Sequence, residues 1–112
     1  MGMEIFERIQ DDVTIFVLEG RIDTEGAVDM DLALQAAVSG GHHRMVLDLS
    51  QVRYIGSAGL RTMADVLTKN KEAGGDLKLA AVNPKVMRVI QIIGFDKFFS
   101  IYESVDAAIA DF

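Results

Sequence analysis

Few residues of this 112-residue chain have the chemistry of an active site. There is no cysteine, and the two histidines, His42 and His43, sit side by side in a Gly-rich stretch. A thiol nucleophile, a disulfide framework, a zinc ribbon and an iron–sulfur cluster are therefore excluded. Two adjacent histidines on a loop do not converge with carboxylates at a defined spacing, so no metal site is expected from them. Ser57 is the remaining candidate, in the run Tyr54-Ile55-Gly56-Ser57-Ala58-Gly59-Leu60-Arg61. A hydrolase-type nucleophile elbow needs glycine two residues before and two after its serine, and here Ile55 precedes where Gly59 follows. The phosphate loop ending in Gly-Lys-Ser/Thr is absent, and no Gly-x-Gly-x-x-Gly follows a strand. The chain is expected to be no enzyme and to carry no cofactor. Ser57 can still cap the helix that it opens. It can also accept a phosphoryl group, because Gly56, Ala58 and Gly59 are too small to obstruct another protein's active site. A phosphate would add about −1.5 to −2 charges beside free N–H groups of the first helical turn. The two roles are compatible.

The elements that place Ser57 follow from the hydrophobic period. Residues 3–9 and 13–19 are short, apolar and β-branched, separated by Gln10, Asp11 and Asp12, and they predict a hairpin whose second strand ends at Gly20. From Asp23 the period lengthens: Ala27, Met30, Leu34, Ala37 and Val38 recur at helical spacing up to Gly40-Gly41, with Asp23 or Thr24 as N-cap and Glu25 favoured by the helix dipole. Met45, Val46, Leu47 and Leu49 predict a central strand buried on both faces. A turn is expected at Ser50 to Tyr54. Gly56 to Gly59 open a second helix with Leu60, Met63, Ala64 and Leu67 as its apolar stripe, and Gly74-Gly75 closes it. Leu77, Leu79 and Val82 make a further strand. Asn83-Pro84 starts a third helix that carries Val86, Val89, Ile90 and Ile93 to a stop at Gly94. Phe98 to Tyr102 is expected as the last strand. Ser104 then caps a closing helix with Val105, Ile109 and Phe112 packed inward. The predicted fold is α/β, in the order β-β-α-β-α-β-α-β-α, with a mixed, mostly parallel sheet and one domain spanning residues 1–112.

Composition narrows the partners. Acidic residues number 17 against 11 basic, a net charge of −6, and no Lys/Arg cluster is interleaved with aromatics. Direct nucleic-acid binding is not expected. Residues 1–31 hold nine Asp/Glu and two Arg, so the acidity lies at the front of the chain. The longest strongly apolar run, Ile15 to Leu18, is far short of the ~20 residues that cross a bilayer, and Met1-Gly2-Met3-Glu4 lacks a basic stretch ahead of an apolar one. A cytoplasmic domain without membrane insertion is the expectation. The charge and the lack of an evident exposed apolar patch favour a monomer. Phe95, Phe98 and Phe99 are expected as core or rim packing, with one of them a possible partner anchor. The six methionines are expected as gap fillers, and Lys69, Lys71 and Glu72 as a solvated face.

The stretch from Val46 to Arg61, preceded about thirty residues earlier by Gly20-Arg21-Ile22-Asp23-Thr24, closely resembles the STAS-domain anti-sigma factor antagonists of bacteria. The β-β-α start, the Asn83-Pro84 helix and the Ile93-Gly94-Phe95 step extend the resemblance over essentially the whole chain. It implies that Ser57 is the phosphoacceptor of a partner that is both an anti-sigma factor and a serine kinase of the histidine-kinase-like ATPase type. The unmodified antagonist would bind that partner and free the sigma factor; phosphorylation would break the complex, and a metal-dependent serine phosphatase would reset it. Asp23 would lie near Ser57 on the same docking edge, although capping of the first helix explains it equally well. Partner contact is expected from Asp23, Thr24, Gly56, Ser57, Ala58, Gly59 and Arg61. The family's motif often reads Asp-Ser-Ser/Thr-Gly, whereas here Gly56 replaces the acid and Ala58 the second hydroxyl. One acceptor remains in the turn, and an orienting carboxylate is missing.

Two other classes stand beside this reading. One is an accessory or scaffold subunit of an ABC transporter or a stress-sensing complex. The other is a small hydrolase or ligand-binding domain built around Ser57, for which no base is recognisable.

Overall fold

In the computed structural model, which describes residues 3–112, the first turn of the chain is set by two aspartates. Asp11 and Asp12 both adopt positive φ, 52° and 65°, the backbone of a tight two-residue hairpin turn. It joins β1 (Glu4–Gln10) to β2 (Val13–Ile22) in an antiparallel pair. Then follow α1 (Thr24–Ser39), β3 (Arg44–Ile55), α2 (Ser57–Glu72), β4 (Asp76–Ala80), α3 (Pro84–Ile92), a single 3₁₀ turn at Phe95–Lys97, β5 (Ile101–Tyr102) and α4 (Val105–Ala110). The sheet order is β1-β2-β3-β4-β5, with every pair after the first parallel. This is the α/β arrangement expected from the sequence. Met1 and Gly2, part of the N-terminal stretch read above, lie outside the described residues.

Alternation along the strands divides the core in two. Phe16, Leu18, Met45, Leu47, Leu77 and Leu79 face α1, α2 and α3, meeting Met30, Leu34, Met63, Val66, Val86 and Ile90. Val13, Ile15, Val46 and Ala80 face the other way and pack under α4 through Ala108, Val105 and Ile109. The Lys78 side chain lies on this second face, almost wholly buried. Its Nζ donates to the Ala108 carbonyl at 3.2 Å and sits 3.8 Å from the centre of the Phe112 ring. Desolvation holds its pKa below the ordinary 10.5, while the charges of Asp111 and Asp76 pull it back up. The Tyr102 hydroxyl donates to Asp111, which raises the phenol's pKa. Phe112 is thus held by a cation rather than packed inward: it lies beyond α4 and remains exposed.

Several boundaries differ from expectation. Gly20 does not end β2; with φ of 117° it sits where the β2–β3 register shifts, and the strand resumes to Ile22. Residues 50–54 are strand rather than turn. Ser50, Gln51 and Arg53 are polar because they face water, while Val52 and Ile55 stay buried and β2 goes on pairing alongside. The Asp48 carboxylate accepts from the Ser50 amide at 3.0 Å and imitates a turn locally. Val82 falls outside β4. Phe98 and Phe99 precede β5, because the chain spends Phe95–Lys97 on the 3₁₀ turn. Ile92, Ile93 and Phe98 are exposed, Phe98 at 69%, so apolar surface is present where the sequence had shown no evident patch.

At the amino edge of the sheet, buried Asn70 closes α2 onto the strands. Its Nδ2 donates to the Asp76 carbonyl at 3.2 Å, its Oδ1 lies 3.3 Å from His43 Nδ1, and its own carbonyl accepts from Gly75 N at 2.7 Å. His43 therefore has a structural partner.

At the opposite edge, a Cβ on Gly59 would stand 2.5 Å from Ile22 Cγ2 and 3.2 Å from Ile55 Cγ1. Both isoleucines are buried and β-branched, so neither can swing aside. Ala is favoured over Gly within helices by about 1 kcal/mol, but crowding a packed core costs about 1–3 kcal/mol. Gly59→Ala is expected to lower stability despite the helix preference, read as a lower urea midpoint with unchanged m.

Candidate functional site

Two parallel strands that end level with each other bring Ser57 and Asp23 together. Ile22 of β2 pairs with Ile55 of β3, and the Gly56 amide donates to the Ile22 carbonyl at 2.9 Å. Each chain then turns directly into a helix. Asp23 is the N-cap of α1, its Oδ1 accepting from Gly26 N at 2.9 Å while its carbonyl accepts from Ala27 N at 2.8 Å. Thr24 is the first residue of α1. Gly26 is buried, and any side chain there would collide with the Arg21 carbonyl.

The second helix starts differently from what the sequence suggested. Gly56, not Ser57, is the N-cap of α2, and no side chain caps it. Ser57 is the first helical residue and is exposed. Its hydroxyl has no hydrogen-bond partner among the described residues, so the capping role proposed for it falls away. A serine in the N-cap position would have extended backbone and a hydroxyl turned onto the following amides; Gly56 takes that extended conformation instead, with φ of −101° and ψ of 178°. The hydroxyl of Ser57 is left free at the surface.

A depression of about 250 Å³ is lined by Asp23, Thr24, Tyr54, Gly56, Ser57, Ala58 and Arg61. Six of the seven residues expected to meet a partner therefore converge. The seventh, Gly59, is buried beneath them against Ile22, and its part is to let α2 approach the strand ends. Arg61 stands one helical turn along from Ser57, on the same side of α2.

Beside this hollow runs a second one of about 340 Å³ between α1 and α2, sharing Thr24, Ala58 and Arg61 and extending to Val28, Asp31, Thr62 and Asp65. Val28 and Leu32, one turn apart on α1, are 56% and 67% exposed. Both lie off the stripe of Ala27, Met30, Leu34, Ala37 and Val38 that the helical period picks out, so they face away from the core. Further along, a polar chain ties the helices: Gln35 donates to Asp31 at 3.2 Å and to Asp65 at 3.0 Å, and Lys69 donates to Gln35 at 3.0 Å and meets Asp65 at 3.2 Å.

One pair at the edge had no sequence signal. Arg21 and Tyr54 are cross-strand partners, and the guanidinium carbon lies 4.3 Å from the centre of the Tyr54 ring. The mistaken turn at 50–54 hid this, because only continued strand pairing brings the two side chains into register.

Asp23→Ala is expected to cost about 1 kcal/mol of stability through loss of the cap, whereas Asp23→Asn keeps the amide acceptor and most of that stability. Paired urea melts of the two variants measure the capping role without its charge.

Among the described residues no group of three or more metal-ligating side chains stands around Ser57; the edge presents an accessible hydroxyl with the Asp23 carboxylate and Arg61 lining the same hollow. The STAS domain model matches residues 6–108. A Bordetella bronchiseptica protein, BtrV, which bears the provisional name of anti-sigma factor antagonist, is 36% identical over 102 residues, covering 91% of this chain and 88% of its own. A Thermotoga maritima crystal structure of the same provisional name superposes with a TM-score of 0.91 at 26% identity, covering 96% of this chain and 92% of its own. An anti-sigma factor antagonist from Mycobacterium paratuberculosis superposes at 0.88 with 29% identity, covering 97% and 92%.

Proposed function

The chain belongs to the STAS domain family, and on that footing we propose that it is an anti-sigma factor antagonist, a non-enzymatic cytoplasmic switch of one domain over residues 1–112. In this reading the unmodified form binds an anti-sigma factor that is also a serine kinase, and so releases the sigma factor. Phosphorylation of Ser57 ends the complex, and a metal-dependent serine phosphatase restores it. The names carried by its relatives support the antagonist role, and the observation that carries the choice of residue is the free, exposed Ser57 hydroxyl at the start of α2.

The physical logic is local. Small neighbours, Gly56 and Ala58, leave the hydroxyl open to an incoming active site. A phosphate there adds close to two negative charges to an edge where Asp23 lines the same hollow, Asp31 lines the neighbouring one and Glu25 lies in the first turn of α1. Like charges and desolvation oppose docking, and each 1.4 kcal/mol is tenfold in affinity. The backbone tolerates the modification because the N-terminus of α2 favours negative charge. The surface changes while the fold stays.

A second reading has one observation in its favour. The exposed Ile92, Ile93 and Phe98 suit a chain held permanently within a larger assembly, such as a transporter-associated or stress-sensing scaffold.

Incubation with candidate kinases and ATP, followed by intact-mass analysis, separates the two. One phosphoryl addition, lost in Ser57→Ala, is expected of the switch, and no addition with any kinase overturns it in favour of the scaffold. In binding assays Ser57→Ala should hold the kinase as the natural chain does, and Ser57→Asp should weaken it at least tenfold. Equal affinity of the two variants would refute the charge switch.

A further inference from the structure

The edge is acidic along α1 and at Asp23, yet beside Ser57 it also presents an arginine that no carboxylate neutralises by an ion pair among the described residues. There Arg21 stacks on Tyr54, and the ring reaches over Gly56, where a Cβ would stand 3.2 Å from the Tyr54 hydroxyl oxygen and 3.5 Å from a ring carbon. Tyr54 is 42% exposed and Arg21 is exposed as well, so neither is explained by the core. Neither belongs to an ion pair among the described residues. Tyrosine and arginine are the residue types that most often dominate binding energy at interfaces. A pair already in contact before binding loses little side-chain freedom when a partner arrives. Tyr54 also lines the Ser57 hollow itself.

We propose that Arg21 and Tyr54 form a partner-selecting anchor beside Ser57 that receives an acidic group of the docked kinase, and that Gly56 gives the tyrosine room, because a Cβ there would press on its hydroxyl. This rests on the switch reading above. The charge pattern then fixes the orientation of the complex. The partner brings a carboxylate to Arg21 and the Tyr54 hydroxyl, and cationic side chains to Glu25 and Asp29 on the outer face of α1. A kinase with a lysine or arginine opposite Arg21 meets like charge there and is rejected. Arg21, Tyr54 and Gly56 act on docking, with no part in phosphoryl transfer.

The test uses the full chain and the purified serine kinase that modifies Ser57, with affinity measured by titration calorimetry and folding checked by thermal melts. Arg21→Ala and Tyr54→Ala should each weaken binding at least tenfold, and Arg21→Glu further still. Arg21→Lys should fall between, since it keeps the charge but not the planar stack. Gly56→Ala should weaken binding several-fold by displacing the tyrosine, and this loss should shrink when Tyr54→Phe removes the hydroxyl that the new methyl meets. The conservative variants Arg21→Lys and Tyr54→Phe keep the test valid should an alanine variant melt early. Binding within twofold of the natural chain for both Arg21→Ala and Tyr54→Ala overturns the anchor, and so does tighter binding by Arg21→Glu. Those outcomes leave the switch standing as long as Ser57→Ala abolishes phosphorylation. If Ser57→Ala is still phosphorylated, the switch reading itself fails and the anchor falls with it.

Discussion

Everything at the working edge depends on one pairing, that of Ile22 with Ile55 at the ends of two parallel strands. It continues into the bond from the Gly56 amide to the Ile22 carbonyl, so both chains leave the sheet at the same height and enter helices side by side. A one-residue slip would turn the buried isoleucines outward. It would also part Asp23 from Ser57 and Arg21 from Tyr54. The bulges near Gly20 matter for this reason. They take up the mismatch between two strands of unequal local length, so that the last pair still falls into line.

Most of the architecture was legible because the period of the apolar residues changes at each boundary. Helix stops at Gly40-Gly41, Gly74-Gly75 and Gly94, and caps at Asp23, Asn83 and Ser104, were readable from residue type. The failures share a cause. Ser50, Gln51 and Arg53 looked like a turn because polarity signals water, and a strand faces water here as a turn does. Gly20 looked like a stop because glycine marks both strand ends and bulges. Phe98 and Phe99 looked like strand because aromatic residues fit a sheet, but nearby Gly94 at φ 80° begins a tight turn first.

The site was legible in composition but not in geometry. Ser57 among small residues could be found by inspection, and so could its nearness to Asp23 by resemblance. Which residue caps α2 was decided by a backbone angle that residue types do not reveal: serine and glycine both serve at an N-cap. The buried place of Gly59 came from how near α2 lies to Ile22, a distance with no counterpart in a linear pattern.

The chain of polar contacts from Asp31 through Gln35 to Asp65 and Lys69 has a bearing on the kinetics of recognition. It ties together the two helices that carry the residues proposed to dock, with Asn70 pinning the far end of α2 to the strands. If the edge docks as proposed, these contacts join α1 and α2 before a partner arrives, which favours association between preformed surfaces. A phosphate added to such an edge would act on a distant partner through its field, whose reach is the Debye length of the surrounding solution.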